Sequence, residues 1–206
     1  MRDHVNIAVL VSGGGTNLQA LIDAQESGRL TAGRIKLVIS SSSIAYALKR
    51  AADHQIPAMA ITKKACGSQE AMEARLLEVL EANHIDLIIL AGYLSILSAD
   101  FVGHYDHRIL NVHPSLIPSF CGAGFYGLKV HEAALAYGVK VTGATVHFVN
   151  EIPDGGEIIL QKAVPIKPGD TPEILQKRVM RQAEWKLLPE AAELVSRQIL
   201  DKENAE

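Results

Sequence analysis

Apolar residues are laid out along the first hundred positions in short alternating blocks. Residues 5–11 (VNIAVLV) form a β-branched apolar run, residues 12–16 (SGGGT) break it, and residues 17–24 follow with helical spacing. A second strand is predicted over residues 35–40 (IKLVIS), a short helix over 45–54 and a weaker third strand over 58–62. Within residues 68–83, Met72, Leu76, Val79 and Leu80 recur at i, i+4, i+7 and i+8 and share one buried helical face. Residues 85–91 (IDLIILA) are apolar on both faces, as a central parallel strand must be. This order predicts a single α/β domain with a mostly parallel twisted sheet and helices on both faces. Ligands in such sheets lie outside the carboxyl ends of the strands.

The second half is less regular. Residues 108–113 (RILNVH) predict a strand, and residues 114–127, rich in Pro and Gly, a loop. Residues 128–137 predict a helix with Gly138 as its C-cap. Residues 140–149 and 157–164 predict two strands joined by the turn-rich NEIPDGG. Asp170 or Thr171 is expected to cap a helix that carries Pro172 in its first turn and runs to about Leu188. Pro189 is expected to kink or end it, and the polar tail DKENAE to fray. His104 and His107 fall in an expected surface segment. There is no internal repeat and no low-complexity linker.

Composition sets limits. The chain has 206 residues, 48% hydrophobic but only 5% aromatic, so the core must be built from Ile, Leu, Val and Ala. The net charge of −3 lacks the basic footprint of a nucleic-acid-binding domain, yet leaves room for a small anionic ligand. Two cysteines, Cys66 and Cys121, cannot form a disulfide framework, and a reducing cytoplasm is the expected setting. The first residues carry no apolar signal segment, and no apolar run reaches the roughly 18 residues of a membrane helix.

The candidate chemistry begins at Gly13, Gly14, Gly15, Thr16 and Asn17, which follow a strand and open a helix. Glycines admit an anion close to the backbone, and a helix start supplies free N–H groups. With Gly13 and Gly15 as the first two glycines of a dinucleotide fingerprint, the third place is Leu18, and strand two ends in serines rather than an acid. No GxxxxGK[ST] is present. A phosphate monoester fits better than NAD or a nucleoside triphosphate; a tight turn without a ligand is the alternative.

Asn111 and His113 lie two apart on a strand and share a face at its carboxyl end. An amide donor beside an imidazolium suits a developing oxyanion, and histidine also moves protons near neutral pH. Asp154, in a Pro-Asp-Gly-Gly turn, is expected to raise the His113 pKa and hold it charged. The alternatives are satisfied strand-end residues and an Asx turn. His147 shares a face with Thr145 and Val149, as a polar partner of the site or a structural residue. No metal-ligand spacing occurs, the cysteines lack a local histidine partner, and Ser12 and Ser115 sit in no GxSxG elbow.

With these residues assembled, the chain resembles the phosphoribosylglycinamide formyltransferases, folate-dependent enzymes of purine synthesis. The resemblance runs from NIAVLVSGGGTNLQALI through LAGYLSIL, ILNVHPSLIPSF, VTGATVHFV and DGGEIILQ to AEWKLLP. It implies one formyltransferase domain over 1–206, with a Rossmann-like phosphate-binding half (1–100) and a folate and catalytic half (101–206). It implies transfer of the formyl group of 10-formyltetrahydrofolate to the amine of glycinamide ribonucleotide, giving formylglycinamide ribonucleotide and tetrahydrofolate. Asn111 and protonated His113 would stabilise the oxyanion, and Asp154 would keep His113 charged. Gly13 to Asn17 would take the phosphate, with Gly15, Thr16 and Asn17 as the direct contacts. Glu184 would meet the ribose.

The folate would contact Leu94, Ser95, Ile96 and Leu97, with Gln69, Asn111, Asn150 and Asp154. No metal, nucleic acid or membrane is implied, and the chain would be a monomer or homodimer. Many relatives carry Arg where this chain has Ser95 and Gln69, and Asn at Ser41. The loop SFCGAGFYGLKVH is longer than in some relatives. Two related enzymes, methionyl-tRNA formyltransferase and formyltetrahydrofolate hydrolase, usually carry a further domain that this chain is not expected to have. A non-catalytic binding module would keep the glycine loop without needing Asn111, His113 and Asp154.

Overall fold

A computed structural model describes residues 2–205. Seven strands form one sheet in the order β3-β2-β1-β4-β5-β6-β7. The strands are β1 (Val5–Val11), β2 (Gly33–Ser40), β3 (Ala58–Ala60), β4 (Leu87–Leu90), β5 (Ile109–His113), β6 (Val141–Phe148) and β7 (Ile158–Pro165). The first five run parallel; β6 pairs antiparallel with β5, and β7 antiparallel with β6. The α/β expectation holds.

Strand pleating sorts β1 between two cores. Ile7, Val9 and Val11 pack into one apolar layer, and Ala8 and Leu10 into the other. The first layer is closed by α1 (Thr16–Glu26), α2 (Tyr46–Asp53), α7 (Pro172–Val179) and α8 (Trp185–Ala205); α6 (Leu128–Tyr137) also contributes to it. The second is closed by α4 (Gln69–Ala82), with Met72, Leu76, Val79 and Leu80 inward, and by α5 (Ala99–His104). A four-residue α3 (Lys63–Cys66) precedes α4.

Local chemistry accounts for several ends. Ser68 caps α4 by accepting from the Ala71 N–H, and Thr171 caps α7 with Pro172 beside it. Gly138 ends α6 in the left-handed conformation. Asp170 pairs with Arg178, whose guanidinium holds the carboxyl down at about 2.

His104 and His107 are exposed, as expected, with His104 ending α5, which Ser98 caps. Two expectations are corrected. Pro189 does not end its helix: the chain stays helical to Ala205. The interruption comes earlier, as a π turn at Met180–Glu184. Pro189 lies four residues after Trp185, where the ladder is already changing from π to α spacing, so its missing N–H removes little. The tail is exposed yet helical as far as Ala205; Glu206 lies outside the described residues.

Candidate active site

Two of the predicted groups meet at the carboxyl end of β1. Gly15 is the N-cap of α1, with φ of 71° and no side-chain cap, so the first-turn N–H groups of α1 receive no hydrogen bond from a cap side chain. A Cβ on Gly15 would lie 2.7 Å from the Cβ of Ala47, so α2 packs too closely for any other residue. Gly13 and Gly14 are exposed, and a Cβ there would meet nothing within 4 Å. Their surroundings give no packing reason for glycine. Arg50, which the sequence reading missed, steadies the loop by donating from Nε to the Gly14 carbonyl at 2.8 Å.

Asn17 and Glu184 are buried together, and Asn17 Nδ2 donates to Glu184 Oε2 at 2.8 Å. The π turn brings this carboxylate in from the other end of the chain. Burial pushes Glu184 up to about 7 despite the bond from Asn17. Asn17 Oδ1 is buried with no hydrogen-bond partner in the protein.

The second group forms where β5 turns from parallel to antiparallel pairing. Asn111 faces His147 and His113 faces Thr145 across the β5–β6 ladder. Asn111 Nδ2 lies 3.1 Å from His147 Nε2 and 3.3 Å from Asp154 Oδ1. His147 Nδ1 donates to the Phe148 carbonyl at 2.7 Å, and its Nε2 also lies 3.6 Å from Asp154 Oδ1. The Asn111 amide nitrogen is therefore held between His147 and Asp154. His147 thus orients Asn111, a role that the strand alternation around Thr145 and Val149 only hinted at.

His113 is 4% exposed. Its Nε2 donates to the Phe120 carbonyl at 2.9 Å, and Nδ1 lies 3.4 Å from Asp154 Oδ2. Nδ1 is therefore the nitrogen that gains and loses a proton, beside the carboxylate. The expected upward pull of Asp154 on the His113 pKa is present, but the net shift runs downward. Burial lowers its pKa below the ordinary value, His147 adds to this, and the Phe120 carbonyl and Asp154 do not offset it. The geometry explains why: Asp154 faces the ring at more than hydrogen-bond distance, while desolvation acts on the whole ring.

Asp154 sits at a φ of 57° and accepts from the Gly122 N–H at 2.8 Å. Burial raises its pKa, but the contact with His147, the Gly122 N–H and the two imidazoles outweigh this and hold it ionised. The turn is pinned by Gly156, where a Cβ would lie 1.8 Å from the Phe148 carbonyl oxygen. His131, on α6, is fully buried with neither ring nitrogen partnered, and burial, reinforced by His113, takes it down to about 4.

A cleft of about 130 Å³ opens from Asn111 and Asp154. Ser95, Ile96, Leu97 and Asn150 line it, as the sequence indicated. So do His147 and Ile152, and Tyr93 and Val149, which lay outside the expected set. Two predicted residues do not line it. Leu94 stands at the exposed lip, and Gln69 binds protein instead, donating to Glu73 Oε1 and the Ile96 carbonyl. Gln69 thus braces the loop, together with Glu73, which is buried and accepts from the Ser98 N–H and hydroxyl. Among the described residues no three His, Cys, Asp or Glu side chains cluster as metal ligands, and no helix is long and apolar enough to cross a membrane.

The family model described as formyl transferase matches residues 5–192. The phosphoribosylglycinamide formyltransferase of Haemophilus influenzae is 43% identical over 89% of this chain and 83% of its own length. The trifunctional purine biosynthetic protein adenosine-3 of Gallus gallus is 45% identical over 94% of this chain. The chain spans only 19% of that relative's length. The crystal structure of glycinamide ribonucleotide transformylase 1 from Symbiobacterium toebii superposes with a TM-score of 0.88 at 42% identity, covering 95% of this chain and 89% of that one. The chain belongs to the formyl transferase family, among the phosphoribosylglycinamide formyltransferases.

Proposed function

We propose that the chain transfers the formyl group of 10-formyltetrahydrofolate to the amine of glycinamide ribonucleotide, yielding formylglycinamide ribonucleotide and tetrahydrofolate. The observation that carries this reading is the meeting of Asn111, His113 and Asp154 at the inner end of a cleft, at the same carboxyl end of the parallel strands as an uncapped glycine loop. The loop from Gly13 to Asn17 suits the ribonucleotide phosphate, and buried Asn17 and Glu184 suit its ribose. The apolar walls at Tyr93, Ile96, Leu97, Val149 and Ile152 fit the flat rings of the folate. Ser95 and Asn150 add polar edges, and Leu94 an apolar lip.

The amine nitrogen forms a bond to the formyl carbon, and the carbonyl oxygen takes up negative charge. Asn111 turns its Nδ2 hydrogen from Asp154, where the 3.3 Å bond is long, to that oxygen. His113, neutral beforehand, accepts the amine proton at Nδ1. Once charged, it is stabilised by Asp154 and itself steadies the oxyanion. The bond from carbon to the folate N10 then breaks, and the same proton passes to N10. No covalent enzyme intermediate and no metal enters these steps.

The reading carries one formyltransferase domain over residues 1–206, with each ligand site drawing on both sides of residue 100. It also carries small-molecule substrates without nucleic acid, a cytoplasmic setting, and a monomer or homodimer. The test is a formyl-transfer assay with purified protein, both substrates and no added metal. Tetrahydrofolate release that needs the ribonucleotide supports it. Release without the ribonucleotide makes the protein a hydrolase, and ribonucleotide binding without turnover makes it a binding module.

A further inference from the structure

A cavity of about 240 Å³ lies along α1, outside the cleft just described. Thr16, Gln19, Ala20 and Asp23 line it at helical spacing; Arg29, Arg50 and Trp185 close it. Its charges are unequal, two guanidiniums against one carboxylate. Among the described residues neither Arg29 nor Arg50 lies within ion-pair distance of a carboxylate. Arg29 donates only from Nε, to Ser27 Oγ at 3.1 Å, leaving both terminal nitrogens unused. Arg50 donates from Nε to Gly14 and from Nη1 to Gln19, and its guanidinium rests over the Tyr46 ring at 5.1 Å. Its Nη2 remains unused. Half-buried Trp185, the one tryptophan of the chain, offers an aromatic surface to the same space.

Unpaired guanidiniums beside an aromatic ring recognise planar anions, through charge-assisted hydrogen bonds and stacking. Volume limits the guest. Drug-sized ligands occupy pockets of about 300 to 1,000 Å³, so this cavity holds one ring and one oxyanion rather than a nucleotide. We propose that the cavity is a second anion site, beside the glycine loop, for a monocyclic aromatic phosphate or carboxylate. Its oxyanion would lie between Arg29 and Arg50 and its ring against Trp185.

Trp185 fluorescence provides a reporter within the site. Phenyl phosphate titrated into the full chain at constant ionic strength should change the emission saturably, with a midpoint below about 10 mM. Inorganic phosphate and phenol should each be at least about tenfold weaker, because each keeps one half of the recognition. Arg29→Ala, at an exposed position, should weaken phenyl phosphate at least about tenfold and leave formyl transfer unchanged. Asp23→Asn should tighten binding, since it removes the carboxylate that opposes an anion. An emission change that survives Arg29→Ala, equal binding of inorganic phosphate, weaker binding by Asp23→Asn, or no saturation would each overturn the proposal. The readout involves no formyl transfer, so its failure and that of the catalytic reading are separately visible.

Discussion

Ser12 Oγ accepts a hydrogen bond from the Leu94 N–H at 2.9 Å and lies 2.7 Å from Ser41 Oγ. One hydroxyl thus ties the start of the glycine loop to the lip of the cleft. Both proposed substrates meet walls that share this fastening. Ser12→Ala should raise the KM for ribonucleotide and for folate together, by several-fold, consistent with roughly 0.5 to 1.5 kcal/mol for a lost hydrogen bond. Steady-state kinetics with each substrate varied in turn checks this. A change confined to one KM would show that the two walls are independent.

The two kinds of glycine in the loop separate packing from binding. Gly15→Ala combines a positive φ with a Cβ 2.7 Å from Ala47, and should destabilise the fold by about 1 to 3 kcal/mol. Gly13→Ala meets nothing within 4 Å and should leave the melting temperature unchanged while weakening the ribonucleotide. Thermal melts paired with substrate titrations distinguish them; equal melting losses for both variants would contradict this division.

Catalysis should follow the proton on His113 Nδ1. Because burial keeps its pKa below the ordinary 6.5, the rate should rise as the ring deprotonates on the acid side and level off near neutrality. Asp154 supplies the charge that raises His113, so Asp154→Asn should move this acid limb to lower pH. It should also reduce kcat about a hundredfold or more. Asn111→Ala should lower kcat by about 100- to 1,000-fold with a smaller effect on KM. A pH–rate profile with its limb unmoved in Asp154→Asn would break the link between the two residues.

Glu184 makes stability depend on pH in a stated direction. Its folded pKa of about 7 lies above the ordinary 4.5, so the folded state binds the extra proton between these values. Its contribution is fully present below about 4.5 and is lost as pH rises to about 7. Glu184→Gln keeps the shape without the charge. It should match the parent near pH 4 and exceed it above pH 7 by up to about 3 kcal/mol. A difference of that size corresponds to several degrees of melting temperature for a chain of this length. Denaturation at both pH values tests this; equal stability throughout would mean that Glu184 is ionised in the folded protein.

What could be read from the chain beforehand followed local periodicity. VNIAVLV with its glycine break, the α4 face at Met72, Leu76, Val79 and Leu80, and the Asn-x-His strand end all carry their meaning within a few residues. Contacts between distant segments left no such mark. Asn17 and Glu184 are 167 positions apart, and nothing local says that their side chains meet. Helix α5, at six residues, is too short to show a periodic face. The sign of the His113 shift turned on burial against a 3.4 Å ion pair, a balance that needs coordinates. Gln69 showed the same gap: its side chain faces the Ile96 carbonyl and Glu73 rather than the cleft.

The π turn at Met180–Glu184 makes chain length itself a constraint in this region. Removing one residue between this turn and Leu188, with the turn itself kept, would rotate everything after it by about 100°. Leu188, Ala191, Ala192 and Val195 would then leave the core, or Glu184 would leave Asn17. Substitutions at exposed Arg181 and Gln182 change neither relationship, so this stretch tolerates altered spelling far better than an altered count of letters.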